Sequence, residues 1–546
     1  MTQLSSELRR AIEAWIDDEP DDDAVAELAA LLAEADSGLS DAAAELADRF
    51  AGPLSFGTAG LRGPLRAGPN GMNVAVVRRT AAGLAAHLES AGYSAGTVVV
   101  GYDGRYGSAA FARDSAAIFR AAGFDARLLP RMLPTPVLAF AVGHLRAVAG
   151  VMVTASHNPP QDNGYKVYAA DGAQIVPPMD GEIEARIRQI GSVRSLRLDF
   201  GYLTLDESIV DAYVSAVAGL VHADSPRAIH LVHTAMHGVG ASVLRAVFDA
   251  AGFPAPTEVS EQADPDPEFS TVAFPNPEEP GAMDLALALA AREHADLIIA
   301  NDPDADRCAV GAKFEGGWRM LRGDEVGVLL ADWLLRQGVR GTYATTIVSS
   351  TMLSAMAARH HVGFAETLTG FKWISRAAPD LVFGYEEALG YTVAPNLVRD
   401  KDGISAALVI AEMAAALKAA GSSLPQRLSD LAAEYGLYAT RQLSWRLDDL
   451  SRITDAMARL RANPPEALLG RRVAVTDLAP GNDVILLHFE SGRVVVRPSG
   501  TEPKCKAYLE IIIPDADTHA ADEGLAALSG EVATALGFQS AGSDGH

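Results

Sequence analysis

The feature that most constrains the fold is a repeated order of short apolar runs followed by helical stretches. Each run is rich in β-branched residues and ends near Gly, Asp or Ser. Because such alternation builds parallel sheets through right-handed crossovers, we expect an α/β protein. Ligands of parallel sheets gather beyond the carboxyl ends of the strands, so the loops there are the candidate sites. The predicted runs are 97–101, 148–153, 229–232, 296–300 and 381–383.

The length of the chain predicts several domains, because 546 residues are too many for one hydrophobic core. The first fifty residues have helical spacing, and the acidic run 17–23 is expected to be a solvated turn. The last stretch carries several β-rich runs and ends in a helix, which predicts a smaller α+β domain. The predicted domains are 1–206, 207–320, 321–440 and 441–546.

The charge balance limits the partners. Acidic residues number 70 and basic residues 45, for a formal net charge of −25, so nucleic acid and membrane surfaces are not expected partners. A phosphorylated substrate would need a local cluster of basic residues. Cys308 and Cys505 give neither a disulfide framework nor a zinc site, and the N-terminus lacks an apolar signal core. We therefore expect a cytoplasmic protein, whose oligomeric state the sequence leaves open.

The first candidate loop is 154–160, directly after a predicted strand. Ser156 lies beside His157, and two prolines stiffen the loop, which suits a nucleophile held in place. An ordinary turn is the alternative, since Ser, Asn and Pro are common in turns. No G-x-S-x-G pattern surrounds the serine, so a hydrolase elbow is not indicated. Lys166 follows closely and supplies positive charge.

The second candidate loop, 302–307, follows an apolar strand. Asp302, Asp304 and Asp306 stand at alternate positions, and their carboxylates would repel one another unless a cation neutralised them. Oxygen ligands favour a hard ion, Mg²⁺ or Ca²⁺. A calcium EF-hand would need Gly and Glu where Arg307 and Lys313 stand, so that interpretation fails. An acidic surface turn is the alternative, but the apolar run before the loop favours a buried metal site, with Mg²⁺ as the expected ion.

The third candidate loop is 384–391, where paired glutamates lie between glycines after a β-run. Such carboxylates are suitable acceptors for sugar hydroxyl groups, although for this loop taken alone a charged turn is the preferred interpretation. The residues in question are Glu386, Glu387 and Ala388.

The fourth candidate loop is 497–504, in which basic side chains, hydroxyl groups and a glycine converge. A guanidinium, hydroxyl donors, exposed backbone N–H groups and an ammonium together indicate a phosphate-binding site. The residues are Arg497, Ser499, Gly500, Thr501 and Lys504.

In this order, the loops resemble those of the α-D-phosphohexomutase family, which includes phosphoglucomutase and phosphomannomutase. There they are the phosphoserine, metal, sugar-binding and phosphate-binding loops. Further motifs extend the resemblance over nearly the whole chain. They are 56–63, 234–240, 274–279 and 369–372.

The resemblance implies four domains around a central cleft, with mixed α/β cores in the first three. It also implies a cycle in which phosphorylated Ser156 interconverts a hexose 1-phosphate and a hexose 6-phosphate through a sugar bisphosphate intermediate. Mg²⁺ would be held by the three aspartates and the serine. Arg62, His157 and Lys166 would surround the reacting hydroxyl, and Arg307 would brace the transferring group.

One departure concerns the sugar. Many hexose-specific members carry Ser where this chain has Ala388, and the sequence around it is similar to the branch that includes phosphopentomutases. A phosphopentomutase acting on ribose or deoxyribose 1-phosphate is therefore the alternative. A silent sugar-phosphate sensor and a metal-dependent phosphatase are rivals of a different class.

Overall fold

The structure is a computed structural model, and it describes residues 4–54, 60–447, 449, 451–499 and 504–538. The chain divides into two compact units. The first unit comprises Met1–Ala309 and Tyr391–Glu412, and the second comprises Val310–Gly390 and Met413–His546. The first unit is therefore completed by a segment that lies far downstream in the sequence.

The N-terminal residues form helices, as predicted. The acidic run 17–23 is only in part the predicted solvated turn, because it connects the first two helices and exposes Asp17, Asp22 and Asp23 but buries Glu19. Glu19 between them is 1 % exposed, and its carboxylate accepts a hydrogen bond from Trp15 Nε1 at 2.9 Å. That bond compensates the loss of water around a buried charge, which composition alone does not reveal. The helices are α1 (Ser6–Asp18), α2 (Asp22–Asp36) and α3 (Ser40–Arg49).

The next segment builds a mixed sheet with strand order β1-β5-β4-β2-β3-β6. Strands β2, β3, β4 and β6 run parallel, whereas β5 is antiparallel to β4 and to β1. The predicted runs 97–101 and 148–153 correspond to β2 and β4. The elements are β1 (Leu61–Pro64), α4 (Val74–Ser90), β2 (Thr97–Tyr102), α5 (Ser108–Ala121), β3 (Asp125–Leu128), α6 (Thr135–His144), β4 (Ala149–Val153), β5 (Asp162–Ala169), α7 (Met179–Gln189) and β6 (Leu203–Thr204).

The following segment of the first unit places β7 between β8 and β9, all parallel. The predicted run 296–300 matches β9, whereas the run 229–232 begins two residues before β7. The elements are α8 (Ser208–Ala218), β7 (Leu231–Thr234), α9 (Gly240–Ala250), β8 (Thr257–Glu258), a 3₁₀ turn (Ser260–Gln262), α10 (Asp284–Arg292) and β9 (Leu297–Ala300).

The second unit begins with an antiparallel hairpin of β10 and β11, followed by a sheet in which β13 and β14 lie parallel on either side of β12. The predicted run 381–383 forms the start of β14. The elements of this stretch, of which β10, β15 and α14 also include residues of the first unit, are β10 (Ala309–Phe314), β11 (Gly317–Met320), α11 (Gly323–Arg336), β12 (Thr342–Thr346), α12 (Met352–His360), β13 (Gly363–Thr367), α13 (Phe371–Ile374), β14 (Leu381–Glu386), β15 (Gly390–Thr392), α14 (Gly403–Ala419) and α15 (Leu424–Tyr435).

The C-terminal part is an antiparallel sheet of order β16-β22-β21-β20-β19, with α16 and α17 packed on one face. This agrees with the smaller α+β domain predicted from the sequence. The elements are β16 (Leu437–Arg446), α16 (Ser451–Ala462), β17 (Ala467–Leu468), β18 (Arg471–Arg472), β19 (Ala474–Asp477), β20 (Ile485–Phe489), β21 (Gly492–Pro498), β22 (Lys504–Ile513) and α17 (Thr518–Leu536).

Within the described residues, no single helix is long and apolar enough to cross a membrane. Only α14 and α15 taken together meet that criterion by length and composition, and they are bent by 88° at the break between them.

A buried histidine in β7 makes stability depend on pH. Burial lowers the pKa of His233 to about 4, whereas an unfolded histidine titrates near 6.5. Between these values the unfolded chain binds more protons, so stability falls as the pH drops from about 6.5 to about 4, by on the order of 3 kcal/mol for this site. In His233→Gln, the thermal midpoint should depend less on pH over this window. The exposed control His519→Gln should keep the wild-type dependence on pH. If His233→Gln also kept it, the pH effect could not be assigned to His233.

Candidate active site

The predicted nucleophile lies in the loop that follows β4. Ser156 is 3 % exposed, and its backbone has φ 53°, in the left-handed region that non-glycine residues seldom adopt. Its N–H donates to Thr154 Oγ1 at 2.8 Å. A strained backbone of this kind persists only where the surroundings fix it, and it is common at functional sites.

Arg105 fixes the loop. Its guanidinium donates hydrogen bonds to the backbone carbonyls of Ser156 and Asn158, both at 2.5 Å, and to that of Pro159 at 2.8 Å. Arg105 is 4 % exposed, and its charge is balanced by Asp103, whose carboxylate lies 3.4 Å from Arg105 Nε. No other side chain donates several hydrogen bonds in the fixed planar geometry of a guanidinium. The conformation of the serine loop therefore depends on Arg105.

The three predicted aspartates follow β9 and lie together. One oxygen of each carboxylate lies within 4.8 Å of the others, and Asp302, Asp304 and Asp306 are all buried. Ser156 Oγ donates to Asp302 Oδ2 at 2.7 Å. The serine and the aspartate cluster, predicted separately, therefore form one site within the first unit.

Two lysines neutralise part of this charge. Lys166 Nζ lies 2.7 Å from Asp304 Oδ2 and 2.9 Å from Asp306 Oδ2, and Lys401 Nζ lies 3.3 Å from Asp306 Oδ2. Lys166 lies on β5 rather than in the serine loop, and it pairs with the aspartates. Buried ammonium groups so close to carboxylates hold the cluster together electrostatically.

The charges of the cluster shift its titration. Burial and the neighbouring Asp304 and Asp306 carboxylates raise the pKa of Asp302 well above its ordinary value. Burial also opposes ionisation of Asp304, but Lys166 and the Thr135 hydroxyl outweigh it and lower the pKa of that carboxyl. Lys166 itself stays protonated, because the two aspartates raise its pKa despite burial. Lys166 and Asp304 therefore stabilise each other as ions, whereas burial and the neighbouring carboxylates oppose ionisation of Asp302.

The donor set of this cluster fits a metal ion. Asp304 Oδ1 and Asp306 Oδ1 are buried without a hydrogen-bond partner in the structure. Buried carboxylate oxygens normally have partners, so two orphaned ones on adjacent ligands are suited to a cation. The donors are all oxygen, which favours a hard ion. Asp302, Asp304 and Asp306 could thus hold a metal, with Ser156 Oγ beside them.

A downstream strap, residues 399–403, supports the aspartate loop. Gly403 lies so close to the Arg307 carbonyl that a Cβ there would overlap it. Asp400 Oδ2 accepts hydrogen bonds from Tyr168 OH and Gln174 Nε2, both at 2.7 Å. These contacts fix the strap so that its Lys401 reaches the aspartates.

The other predicted catalytic residues of the first unit also gather here. His157 Nδ1 lies 3.2 Å from Ser156 Oγ, and burial and the nearby Arg307 hold the pKa of this ring well below its ordinary value. Arg62 donates to Asn158 Oδ1 at 2.8 Å, in the serine loop. Arg307 lies 3.3 Å from Glu278 Oε2. A neutral imidazole beside the hydroxyl, with cations around it, can exchange a proton with it.

The predicted sugar loop belongs to the second unit. Glu386 ends β14, and Ala388 stands in the turn before β15. Glu387 Oε2 accepts hydrogen bonds from Ser349 Oγ at 2.9 Å and Thr346 Oγ1 at 3.2 Å. Burial and the nearby Asp324 raise the pKa of Glu387. Its carboxylate is therefore held by the protein's own hydroxyl groups.

The predicted phosphate loop begins at the end of β21. Arg497 lies over the ring of Tyr508, with 5.8 Å between its guanidinium carbon and the ring centroid. Ser499 follows, and Lys504 begins β22. Gly500 and Thr501 lie outside the described residues, as do residues 56–59 of the first motif.

Sequence comparison defines the family of this fold and site. Models of phosphoglucomutase/phosphomannomutase match the chain in order: α/β/α domain I at residues 53–194, domain II at 211–314, domain III at 322–435 and the C-terminal domain at 446–527. The chain belongs to the phosphoglucomutase/phosphomannomutase family, a class of isomerases that transfer a phosphoryl group.

Individual relatives differ in the sugar named for them. A probable phosphomannomutase of Haemophilus influenzae is 47% identical, over 81% of this chain and 93% of its own length. Human phosphopentomutase is 36% identical over 86% of this chain and 87% of its own length. The crystal structure of a phosphomannomutase-type protein from Thermus thermophilus matches with a TM-score of 0.71 and 29% identity, covering 89% of this chain and 99% of that one.

Several residues of the site were not predicted from the sequence. Arg105, Thr135 and Lys401 come from elements far from the motifs they contact, and nothing local marks them. The alternation of strand and loop offers one signal for Arg105, because it follows β2, the neighbour of β4 in the sheet. Thr135 and Lys401 carry no comparable signal.

Arg105→Lys should weaken the serine loop while keeping the charge beside Asp103. A lysine cannot reproduce the fork of hydrogen bonds, so we expect a loss of about 2 kcal/mol in stability and faster proteolysis within 154–162. Thermal unfolding and limited proteolysis would measure this. Arg120→Lys, an exposed arginine 3.8 Å from Asp199, is the control. Equal losses of stability and equal proteolysis in the two variants would contradict the conclusion that Arg105 fixes the serine loop.

Proposed function

We propose that this chain interconverts hexose 1-phosphates and hexose 6-phosphates, acting as a phosphoglucomutase or phosphomannomutase through a phosphoserine at Ser156. The observation that carries the proposal is the 2.7 Å contact between Ser156 Oγ and Asp302 inside a cluster that fits a metal. A hydroxyl in such a site is suited to carry a phosphoryl group. Family membership and the relatives named for these sugars support the same activity.

The chain's own residues divide the work of the transfer. As the bond from phosphorus to Ser156 Oγ breaks, the bond to the sugar oxygen forms and the sugar hydroxyl loses its proton. His157 is placed to take that proton, because its ring is neutral and lies 3.2 Å from Ser156 Oγ. Arg307 and Arg62 stabilise the charge that spreads over the phosphoryl oxygens. The reverse steps return a phosphoryl group to Ser156.

The metal in this proposal is Mg²⁺, held by Asp302, Asp304, Asp306 and the phosphorylated Ser156. When bound it would neutralise phosphoryl charge and make phosphorus more electrophilic. Lys166 and Lys401 hold the carboxylates in position, and the orphaned oxygens of Asp304 and Asp306 support a cation there.

The second unit supplies recognition in this proposal. The loop at Glu386 takes sugar hydroxyl groups, and Arg497, Ser499, Gly500, Thr501 and Lys504 take the phosphate that does not react. A sugar bisphosphate forms when Ser156 has given up its phosphoryl group, and the same compound would prime the unphosphorylated enzyme. Remote binding of the phosphate holds the substrate through both transfers.

A phosphopentomutase is the second candidate. Ala388 removes a hydroxyl that would otherwise face the sugar, and human phosphopentomutase is 36% identical to this chain. A missing polar contact changes which sugar is preferred. The hexose assignment is placed first because the 47% identical relative is named for mannose.

Ser156→Ala should abolish turnover, because no other group takes over a covalent nucleophile. We expect at least about a thousandfold loss of kcat and loss of one phosphate from the intact mass. Phosphorus NMR with glucose, mannose, ribose and deoxyribose 1-phosphates would measure turnover and rank the sugars. The exposed control Ser195→Ala should behave as wild type.

Near-normal turnover in Ser156→Ala would refute the phosphoserine cycle. Release of free phosphate in proportion to substrate would instead indicate a phosphatase. Binding of sugar phosphate without any conversion would indicate a sensor. A hundredfold or greater preference for pentose, beyond the usual effect of one missing group, would make phosphopentomutase the first assignment.

Removal of Mg²⁺ with EDTA should abolish activity, and added Mg²⁺ should restore it. Independently of activity, Mg²⁺ should raise the thermal midpoint, since a ligand at one hundred times its Kd stabilises the fold by about 2.7 kcal/mol. Asp304→Asn and Asp306→Asn should lose this shift, whereas the surface control Asp199→Asn should keep it. Full activity of the metal-free enzyme would contradict the proposal.

A further inference from the structure

Segment 347–351, which follows β12, contacts the sugar loop on one side. Ser349 Oγ donates to Glu387 Oε2 at 2.9 Å, and the Glu387 N–H donates back to Ser349 Oγ at 3.2 Å. Reciprocal bonds of this kind fix the turn at Glu387 relative to the segment. The position of the sugar loop therefore depends on the position of Ser349.

The opposite side of the segment is held by two charged residues of the C-terminal sheet. Arg493 Nη2 donates to the Ser349 carbonyl at 2.5 Å, and Arg493 Nη1 donates to Glu366 Oε1 at 2.8 Å. Glu510 accepts from the Thr351 N–H at 2.8 Å and from the Thr351 hydroxyl. The backbone of the segment is thus held at its middle, Ser349, and at its last residue, Thr351.

Arg493 and Glu510 are themselves a cross-strand pair. They are direct partners in the register of β21 and β22, and Arg493 Nε lies 3.9 Å from Glu510 Oε1. Arg493 is 5 % exposed and Glu510 is 4 % exposed. Apolar residues would hold the segment against the sheet with less desolvation cost. The buried ion pair therefore indicates that the orientation and register of the segment relative to the sheet must be fixed.

The same face of the sheet leads to the phosphate loop. Side chains alternate along a strand, so Arg493, Val495 and Arg497 project from one face of β21. Val495 and Tyr508 pack against Ile347 and Val348 of the segment. Arg497 lies about 13 Å from Arg493 along the strand, at about 3.3 Å per residue. One rigid strand therefore carries both the grip on the segment and the first residue of the phosphate loop.

We propose that Arg493 and Glu510 are positioning residues that set the spacing between the phosphate loop and the sugar loop, and so select the length of the sugar phosphate. A hexose phosphate has one more ring carbon than a pentose phosphate, so its ring hydroxyl groups extend farther from the phosphate. A fixed spacing discriminates between them, and a loose one does not. This inference rests on the function proposed above.

The test uses three variants that keep size or charge. Arg493→Lys loses the fork that joins the Ser349 carbonyl to Glu366, Glu510→Gln loses the carboxylate charge, and Thr351→Val loses only the hydroxyl bond to Glu510. Each should lower the ratio of kcat/KM for glucose 1-phosphate to that for ribose 1-phosphate by about fivefold, mainly through KM, because a neutral hydrogen bond is typically worth about that factor. Wild type should favour the hexose by roughly tenfold or more.

The matched control is Arg461→Lys, an arginine of the same domain whose partners Asp477 and Asp483 lie at its surface. It should leave the ratio unchanged. If Arg493 acts through the sugar loop, adding Glu387→Gln to Arg493→Lys should lower the ratio no further than Glu387→Gln alone. Additive losses, a ratio unchanged in all three variants, or a wild-type ratio near one would overturn the proposal.

Hydrogen exchange of residues 384–391 tests, without measuring turnover, whether Arg493 and Glu510 position the sugar loop. Arg493→Lys and Glu510→Gln should speed exchange there, while Arg461→Lys should not, and equal exchange would overturn the proposal. The phosphate on Ser156 should be unaffected in every variant. A wild type that lacks this phosphate and turns over neither sugar would refute the proposed function instead, and the exchange result would still decide the positioning role.

Discussion

The burial of three carboxylates beside one serine is the constraint on which the active site depends. Asp302, Asp304 and Asp306 cannot share so small a volume without compensating charge, and Lys166 supplies it from β5. β5 also brackets the serine loop, because it pairs with β4 directly before Ser156. The pairing of two strands and the pairing of ions therefore place the predicted nucleophile and the candidate metal ligands together.

The residues that could be predicted from the sequence are those whose role is indicated by their immediate sequence neighbours. Ser156 and the aspartates follow apolar strands, and the order of strand and helix indicates that such loops lie at one edge of a sheet. Lys166 was predicted as a charge near the serine, and its pairing with aspartates 138 and 140 positions away was not. A spacing pattern carries no information about partners at such separations.

The same limit explains the residues that were missed. Nothing in the local sequence marks Arg105, Lys401, Arg493 or Glu510. Arg105, Arg493 and Glu510 acquire their roles by bonding to a distant backbone, and Lys401 does so by pairing with the distant Asp306 carboxylate. The acidic run at 17–23 shows the converse error, since its charge predicted solvent and Glu19 is buried with Trp15. Local composition predicts exposure only where no tertiary partner compensates the charge.

In the proposed function, the two units separate the transfer chemistry from the selection of the sugar. The first unit contains Ser156, the aspartates and the cations proposed to neutralise phosphoryl charge, and the second contains the predicted sugar and phosphate loops with the Arg493 and Glu510 pair. Relatives named for different sugars match this chain over most of its length, which is consistent with a constant transfer chemistry and a variable selection step. Changes in sugar preference are then expected in the second unit.

The most direct test of the account is phosphorus NMR of the phosphorylated enzyme with Mn²⁺ in place of Mg²⁺. If Ser156 carries the phosphate beside a metal held by the three aspartates, the phosphoserine resonance should broaden strongly as Mn²⁺ is added. Asp306→Asn should weaken this broadening. A phosphoserine resonance that stays sharp at saturating Mn²⁺ would show that the phosphate and the metal do not share a site, and would contradict the account.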